Sequence, residues 1–316
     1  MLPNKLPTSG PTTKDTFLPS QRKMFRFVLL FHFLVVRTFA WGSTGHELVA
    51  WVATQMVAPE TETWIADILG AENLTSVANW ADSITREEVW SQPLHFINVD
   101  DTCTSVENCK FTYERDCLDD QCVAGSIANY TSRLFDSEVH DDYESLKFLV
   151  HFIGDVHQPL HCARASDLGG NRISPVHYAV AGQGETWDLH QIWDFGIIEN
   201  HVESVDGGGQ ELMGLIDGGK WADELEEWLE CSDGMDKGCP SAWGQESVEF
   251  SLDFAYVDLD GKQIKDGDDI TQEYAEDRWE KVIQKRLLQG GYRLAAVLDA
   301  VARTHGTESR NKNYIS

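Results

Sequence analysis

Phe148-Leu-Val-His151-Phe-Ile-Gly-Asp155-Val-His157-Gln-Pro159-Leu-His161 is the stretch on which the reading of this chain turns. Its apolar residues recur at helical spacing, which predicts a helix over Ser145 to His157 that Pro159 ends. His151 and Asp155 are four apart and so share one helix face. Past Pro159, His161 can turn back toward the same place. His157 lies on a different face from Asp155 and reads either as structural or as a support behind the ligands. The same His-x-x-x-Asp spacing returns in Trp187-Asp-Leu-His190-Gln-Ile-Trp-Asp194, and a third segment is Leu94-His95-Phe96-Ile97-Asn98. Neutral imidazole and carboxylate, with a position left for water, form the donor set of hydrolytic zinc sites. Any one of these histidines alone would read as a core residue. Two helical pairs, a His-Phe segment and His46 near the start of the folded region together indicate a site for more than one ion. His140, His177, His201 and His305 lack such partners and read as structural.

The ends of the chain set the compartment. After Met24 come basic flanks, an apolar run from Phe27 to Val36 and Thr38-Phe39-Ala40 before Trp41, the layout of a secretory signal. The run is too short to span a bilayer. Removal of residues 1–40 leaves 276 residues, a size suited to one domain at 41–305 with a polar tail at 306–316. Residues 1–40 carry six basic side chains and one acidic one, so their loss deepens the net charge from −27 to −32. Such a chain repels nucleic acid in general, and bound metal ions would supply the local positive charge that a nucleic-acid enzyme needs. No second long apolar run follows, so no stable membrane association is expected. The seven cysteines fit disulfide-tied loops in a secreted protein, with Cys117–Cys122 and Cys231–Cys239 as local candidates and one thiol left over. Asn73-Leu-Thr75 and Asn129-Tyr-Thr131 are glycosylation sequons.

The rest of the chain predicts a mainly helical domain. Helices are expected at His46 to Met56, Thr61 to Leu69, Val123 to Phe135, near 220–230, and from Tyr274 to Ala302 with a break at Gly290-Gly291. The Cys- and Asp-rich stretch 101–123 reads as a loop, and 163–186 as a loop with a short hairpin. Stretches 205–220 and 231–244 read as glycine-rich punctuation, Asp260-Gly261 as a hairpin turn, and the tail after Thr304 as frayed.

Trp41-Gly-x-x-Gly-His46, Asn79-Trp-Ala-Asp82, Leu94-His95-Phe96, the His151–His161 block, Gly169-Gly170-Asn171 and His190-Gln-Ile-Trp-Asp194 occur in order across nearly all of 41–303. In this the chain resembles the plant and fungal single-strand-specific zinc nucleases, with Tyr113-Glu-Arg-Asp-Cys117 closer to the plant branch. The resemblance implies the helical fold shared with zinc phospholipase C and three zinc ions per chain. Asp82, His95, His151 and Asp155 would hold one ion, and His161, His190 and Asp194 a second. His46, Asp155 and Trp41, the last through its free α-amine and carbonyl, would hold the third. It further implies a monomer that acts on single-stranded DNA and RNA and on nucleotides, leaves 5′-phosphorylated products and acts as a 3′-nucleotidase. Asp82 would orient the attacking water. Phe96 would stack on a base that Gly170, Asn171 and Asn98 contact at its edge, with Arg86 near the phosphate. Two positions depart from the family pattern. Asn98 stands where Asp is common, and Thr85, followed by Arg86, stands where a basic residue is usual. A zinc phospholipase C is the alternative within enzymes; it would carry Glu rather than Asp194 and lack the base site. A non-catalytic secreted binding protein on the same fold is the other alternative, and the nine filled ligand positions argue against it.

Overall fold

Nearly every side chain of one helix, Asp142–His157, is buried, and the domain is built around it. A helix that is apolar on most sides belongs in a core rather than on a surface. The computed structural model describes residues 41–85, 87–136, 141–180, 184–230 and 237–314, all within one compact unit, Arg37–Ser316. The expected signal segment and Arg86 lie outside the described residues. In chain order the elements begin with α1 (Ser43–Met56), α2 (Pro59–Leu69), α3 (Leu74–Val77), α4 (Trp80–Ile84), β1 (Ile97–Val99), α5 (Tyr113–Asp116), α6 (Val123–Phe135) and α7 (Asp142–His157). They continue with β2 (Cys162–Arg164), β3 (Val176–Val180), β4 (Gly184–Trp187), α8 (Leu189–Gln191), α9 (Ile197–His201) and α10 (Val205–Asp217). The last are α11 (Leu225–Leu229), α12 (Gly238–Phe250), α13 (Gln272–Arg278) and α14 (Gln284–Tyr314). The domain is therefore mainly α, as the sequence predicts.

Helix α7 starts where the Asp141 carboxylate accepts from Glu144 N–H at 3.1 Å, and it stops before Pro159. It lies against α6, α12 and α14, while α1 packs along α14 and α10. The hairpin expected in 163–186 is β3–β4, antiparallel. A second small sheet was not foreseen: β1 runs parallel to β2, with Asn98 opposite Ala163. It joins the segment carrying His95 to the one carrying His161.

Three glycine-rich stretches correct the sequence reading. Residues 205–217 and 238–250 are helical rather than punctuation, and α14 runs through Gly290-Gly291 without a break. The cause is close helix contact. A Cβ on Gly209 would stand 2.4 Å from Cε3 of Trp51 on α1, and one on Gly291 would stand 2.4 Å from Cγ1 of Val52. Glycine lowers helix propensity, but here it admits a neighbour that repays the loss through burial. The backbone also stays helical to Tyr314 instead of fraying after Thr304. Asp260-Gly261 does form a turn, although only an isolated Val257–Gln263 bridge flanks it.

Disulfides Cys103–Cys109 and Cys117–Cys122 tie the 101–123 loop in front of α6. Cys239 is disulfide-bonded, and the expected partner Cys231 lies outside the described residues. Cys162 is the free, buried thiol. Among the described residues, no helix is long and apolar enough to cross a membrane.

Candidate metal centre

Asp155 is the hub. It is fully buried on α7, and its Oδ1 lies 3.3 Å from His46 Nε2, 3.4 Å from His151 Nε2 and 3.9 Å from His161 Nδ1. Its Oδ2 lies 2.9 Å from His95 Nδ1. Asp82, delivered by the short helix α4, reaches the same place, 3.4 Å from His151 Nε2 and 3.6 Å from His95 Nδ1. A second pole forms where His190 Nε2 comes within 3.3 Å of Asp194 Oδ2 and 3.2 Å of His161 Nε2. The donor atoms therefore fall into three groups: His46, His151 and Asp155; Asp82, His95 and His151; and His161, His190 and Asp194. Spacing on α7 supplies His151 and Asp155. The His190–Asp194 pair arises differently, because a π turn at Ile192–Gly196 follows α8 and carries Asp194. Such turns insert one residue into a helix and re-aim side chains.

Backbone carbonyls fix three of the imidazoles. His151 Nδ1–H donates to Ala78 O at 2.7 Å, His161 Nδ1–H to His95 O at 2.7 Å, and His190 Nδ1–H to Gly169 O at 2.6 Å. Each bond commits Nδ1 as the protonated nitrogen and turns Nε2 into the cluster, the outer-sphere arrangement of a metal-ligating histidine. The donor set fits a cation by its unmet valences. Both ring nitrogens of His46, Nε2 of His95, Nε2 of His151 and Oδ1 of Asp155 are buried without a hydrogen-bond partner. Orphaned polar atoms at this density are costly in a core unless an ion satisfies them. Imidazole and carboxylate oxygen at these positions are the ligand chemistry of zinc.

The charges of the clustered side chains point the same way. Burial, reinforced by the adjacent His151, lowers His46 to about 4, so it is a neutral imidazole at physiological pH. For His151 burial is outweighed by the Asp155 and Asp82 carboxylates, which raise it to about 9. Asp155 and Asp82 overcome their own burial through the neighbouring His151 and sit below the usual carboxylate range. Asp194 is pushed well above that range by burial. A bound dication would displace protons from His151 and Asp194. His157 behaves differently. Its Nδ1–H donates to Ile153 O at 2.6 Å, Nε2 accepts from Arg293 Nη1 at 2.9 Å, and burial together with Arg286 and Arg293 keeps it neutral.

Comparison with known proteins agrees with this geometry. The model of the S1/P1 Nuclease family matches residues 41–303. The chain belongs to the S1/P1 nuclease family. Endonuclease 2 of Arabidopsis thaliana is 35% identical over 282 residues, covering 83% of this chain and 90% of the relative. Nuclease S1 of Aspergillus oryzae is 34% identical, covering 84% and 93% of the two chains. Nuclease P1 of Penicillium citrinum is likewise 34% identical, covering 85% and 99%.

Of the other candidate residues of this S1/P1 family member, all but Arg86 are among the described residues. Trp41 is fully buried, and Gly42 donates its N–H to Asp194 O at 2.7 Å, so the entry to α1 abuts the second pole. A cavity of about 420 Å³ opens there, lined by Gly42, Asn79, Asp82, Asp194, Phe195 and Glu199 among others. A larger one, about 590 Å³, lies over the Asp258–Thr271 loop and touches none of the clustered side chains, whereas the smaller one reaches Asp82 and Asp194. Phe96 is half-buried and directly follows His95; Asn98 is half-exposed on β1. Gly170 is buried, its N–H donates to Asp167 Oδ1 at 2.8 Å, and its carbonyl accepts from Ile173 N–H at 3.1 Å. Asn171 Nδ2 donates to Leu168 O at 2.8 Å. Thr85 Oγ1–H donates to Asp82 O at 2.8 Å.

Two positioning contacts had no sequence signal of their own. Gln158 Nε2–H donates to Asp194 Oδ1, joining the end of α7 to the second pole. Asn79 Nδ2–H donates to Glu47 Oε1 at 2.9 Å and seats α4, hence Asp82, against α1. Asn79 lies inside a motif that carries the family resemblance, which is the one hint the sequence offered.

Proposed function

We propose that this chain is a secreted, monomeric, zinc-dependent endonuclease that hydrolyses single-stranded DNA and RNA to 5′-phosphorylated nucleotides and also acts as a 3′-nucleotidase. The observation that carries the reading is the convergence of eight histidine and aspartate side chains on Asp155 and its neighbours, with buried donor atoms that lack protein partners. Three zinc ions, when bound, would polarise the phosphoryl oxygens and lower the pKa of water. Asp155 would serve two of the three sites, its Oδ1 lying 3.3 Å from His46 Nε2 and 3.4 Å from His151 Nε2. Asp82 has the exposure to meet solvent in the cavity, at 10% of its side chain, and stays ionised, so it accepts a hydrogen bond from the attacking water and orients it. Trp41 would contribute its α-amine and carbonyl to the third site once residues 1–40 are removed, and the family match begins at that residue. Phe96 supplies a stacking face that accepts any unpaired base. Asn98 and Asn171 are assigned to the base edge, and Arg86 to the phosphate. The exposed side chains of Asn73 and Asn129, both in sequons, suit a glycosylated secreted protein.

The test uses protein whose amino terminus is verified as Trp41. Metal analysis should find about three zinc per chain, following the ligand count of catalytic sites, and single-stranded DNA should be cut far faster than duplex. Chains that retain residues ahead of Trp41, and His151→Ala, should be inactive. Correctly processed protein that held fewer than two zinc ions and left single strands intact would overturn the reading. Phospholipid assayed in parallel excludes the lipase alternative if it stays intact.

A further inference from the structure

Leu168, Gly169 and Gly170 all have positive φ, at 54°, 61° and 86°. For Leu168 this is a conformation that an L side chain rarely adopts, and strain of this kind persists only where its surroundings over-determine it. Asp167 supplies the determination. Its Oδ1 accepts from Gly170 N–H at 2.8 Å and from the Tyr256 hydroxyl at 2.8 Å, and its Oδ2 accepts from Arg164 Nε–H at 2.9 Å. Its carbonyl accepts from Arg172 N–H at 2.9 Å. Tyr256 is fully buried, and burial and the Asp167 charge keep its hydroxyl protonated as a donor. The Arg164 guanidinium stacks 3.7 Å over the same ring.

The turn so held has two faces. On one, the Gly169 carbonyl accepts from His190 Nδ1–H at 2.6 Å and turns Nε2 toward His161 and Asp194. No side chain fits at Gly169, because a Cβ would stand 2.2 Å from Leu160 O. On the other, half-buried Asn171, assigned above to the nucleobase, donates from Nδ2–H to Leu168 O at 2.8 Å. We propose that Asp167 is a positioning residue that couples these two faces. Through one strained turn it sets both the metal-facing orientation of His190 and the placement of Asn171 for the base, while touching neither metal nor substrate. The base half rests on the proposed nuclease function; the metal half does not.

The experiment compares Asp167→Ala, Asp167→Asn, Tyr256→Phe, Leu168→Gly and the Asp167→Ala/Leu168→Gly double variant as full mature chains, with circular dichroism confirming the fold. Zinc affinity is read by chelator competition. Then kcat and KM are read on a single-stranded oligonucleotide and on bis(p-nitrophenyl) phosphate, a diester without a base. Asp167→Ala should bind its weakest-held zinc about ten- to hundred-fold less tightly, lower kcat on both substrates and raise KM on the oligonucleotide alone. Leu168→Gly, which removes the strain, should recover part of that loss in the double variant, a rescue that a general packing defect would not show. Wild-type zinc affinity with an unchanged KM ratio in Asp167→Ala overturns the proposal. If that variant does not fold, Asp167→Asn and Tyr256→Phe decide: weaker zinc and higher oligonucleotide KM in both support it, and no change in either overturns it. A zinc-loaded wild type that cuts no nucleic acid would sink the nuclease reading, yet the zinc affinities would still test the link to His190.

Discussion

Replacing Gly154 by alanine separates the demands of the fold from those of the metal centre. Taken alone, the change favours α7, since alanine in a helix interior is worth about 0.5–1 kcal/mol over glycine. The site opposes it. A Cβ at 154 would stand 2.4 Å from Nδ1 and 2.8 Å from Cε1 of His46. Carbon contacts settle at about 3.5 Å, so the imidazole must retreat by roughly 1 Å. It has little room to do so, because it is buried, stacked at 3.9 Å on the His151 ring, and 3.3 Å from Asp155 Oδ1. Overpacking of about 1–3 kcal/mol offsets the helix gain, so the melting temperature should move by only a few degrees. A ligand displaced by 1 Å should cost about 100-fold in rate, equivalent to roughly 2.7 kcal/mol of activation free energy. The assays are thermal melting, zinc per chain by elemental analysis, and digestion of single-stranded DNA. A folded Gly154→Ala protein with less zinc and about 100-fold lower activity is expected. Full zinc content and wild-type rates in that variant would show that this contact does not seat His46.

Gly209→Ala is the matched control: its Cβ would meet Trp51 Cε3 at 2.4 Å, with no ligand side chain among its nearest neighbours, so stability should fall by about 1–3 kcal/mol while zinc content stays at the wild-type level. Zinc loss there would mean that α10 packing, not ligand geometry, limits metal binding. Phe96→Ala should weaken single-stranded oligonucleotide binding by about 1–3 kcal/mol, seen as a higher KM, and leave turnover of a baseless diester unchanged. Equal loss on both substrates would remove the stacking role. Arg293 and Arg286 outweigh the burial of Glu246 and hold it at about 2. A depressed carboxylate stabilises the fold above its unfolded pKa, and that contribution is lost as pH falls from about 4.5 toward 2. Melting curves of wild type and Glu246→Gln should therefore converge over that window, and a constant gap would contradict it.

The sequence shows most plainly what is local to a helix. His151 and Asp155 could be read from a spacing of four, since that spacing sets both on one face whatever surrounds them. The glycine runs at 207–209 and 290–291 were misread for the complementary reason. Their propensity opposes a helix, and the neighbours that explain them, Trp51 and Val52, lie far away in the sequence. Gln158, Asn79 and Asp167 act across the fold from the turns between elements, with no periodicity to reveal them. Trp41 could not be read from its residue type at all. Its assignment comes from the family resemblance, and the structure adds that it is buried next to the turn carrying Asp194.

The carbonyls that orient the ligands explain why these long-range contacts matter. Ala78 O aims His151, Gly169 O aims His190, and His95 O aims His161, so a ligand-bearing segment at His95 also orients another ligand. Each carbonyl comes from a different connection, and each connection is seated by a polar contact of its own: Asn79 beside Ala78, the β1–β2 pairing after His95, and Asp167 before Gly169. Helix α7 supplies the fixed reference, because its burial leaves it little freedom to shift. Stiffness of the metal centre is thus a property of how three loops dock on one helix. Loosening the polar contact that seats any one of them should lower metal affinity before it lowers stability, because the packing of α6, α12 and α14 on α7 lies outside those contacts.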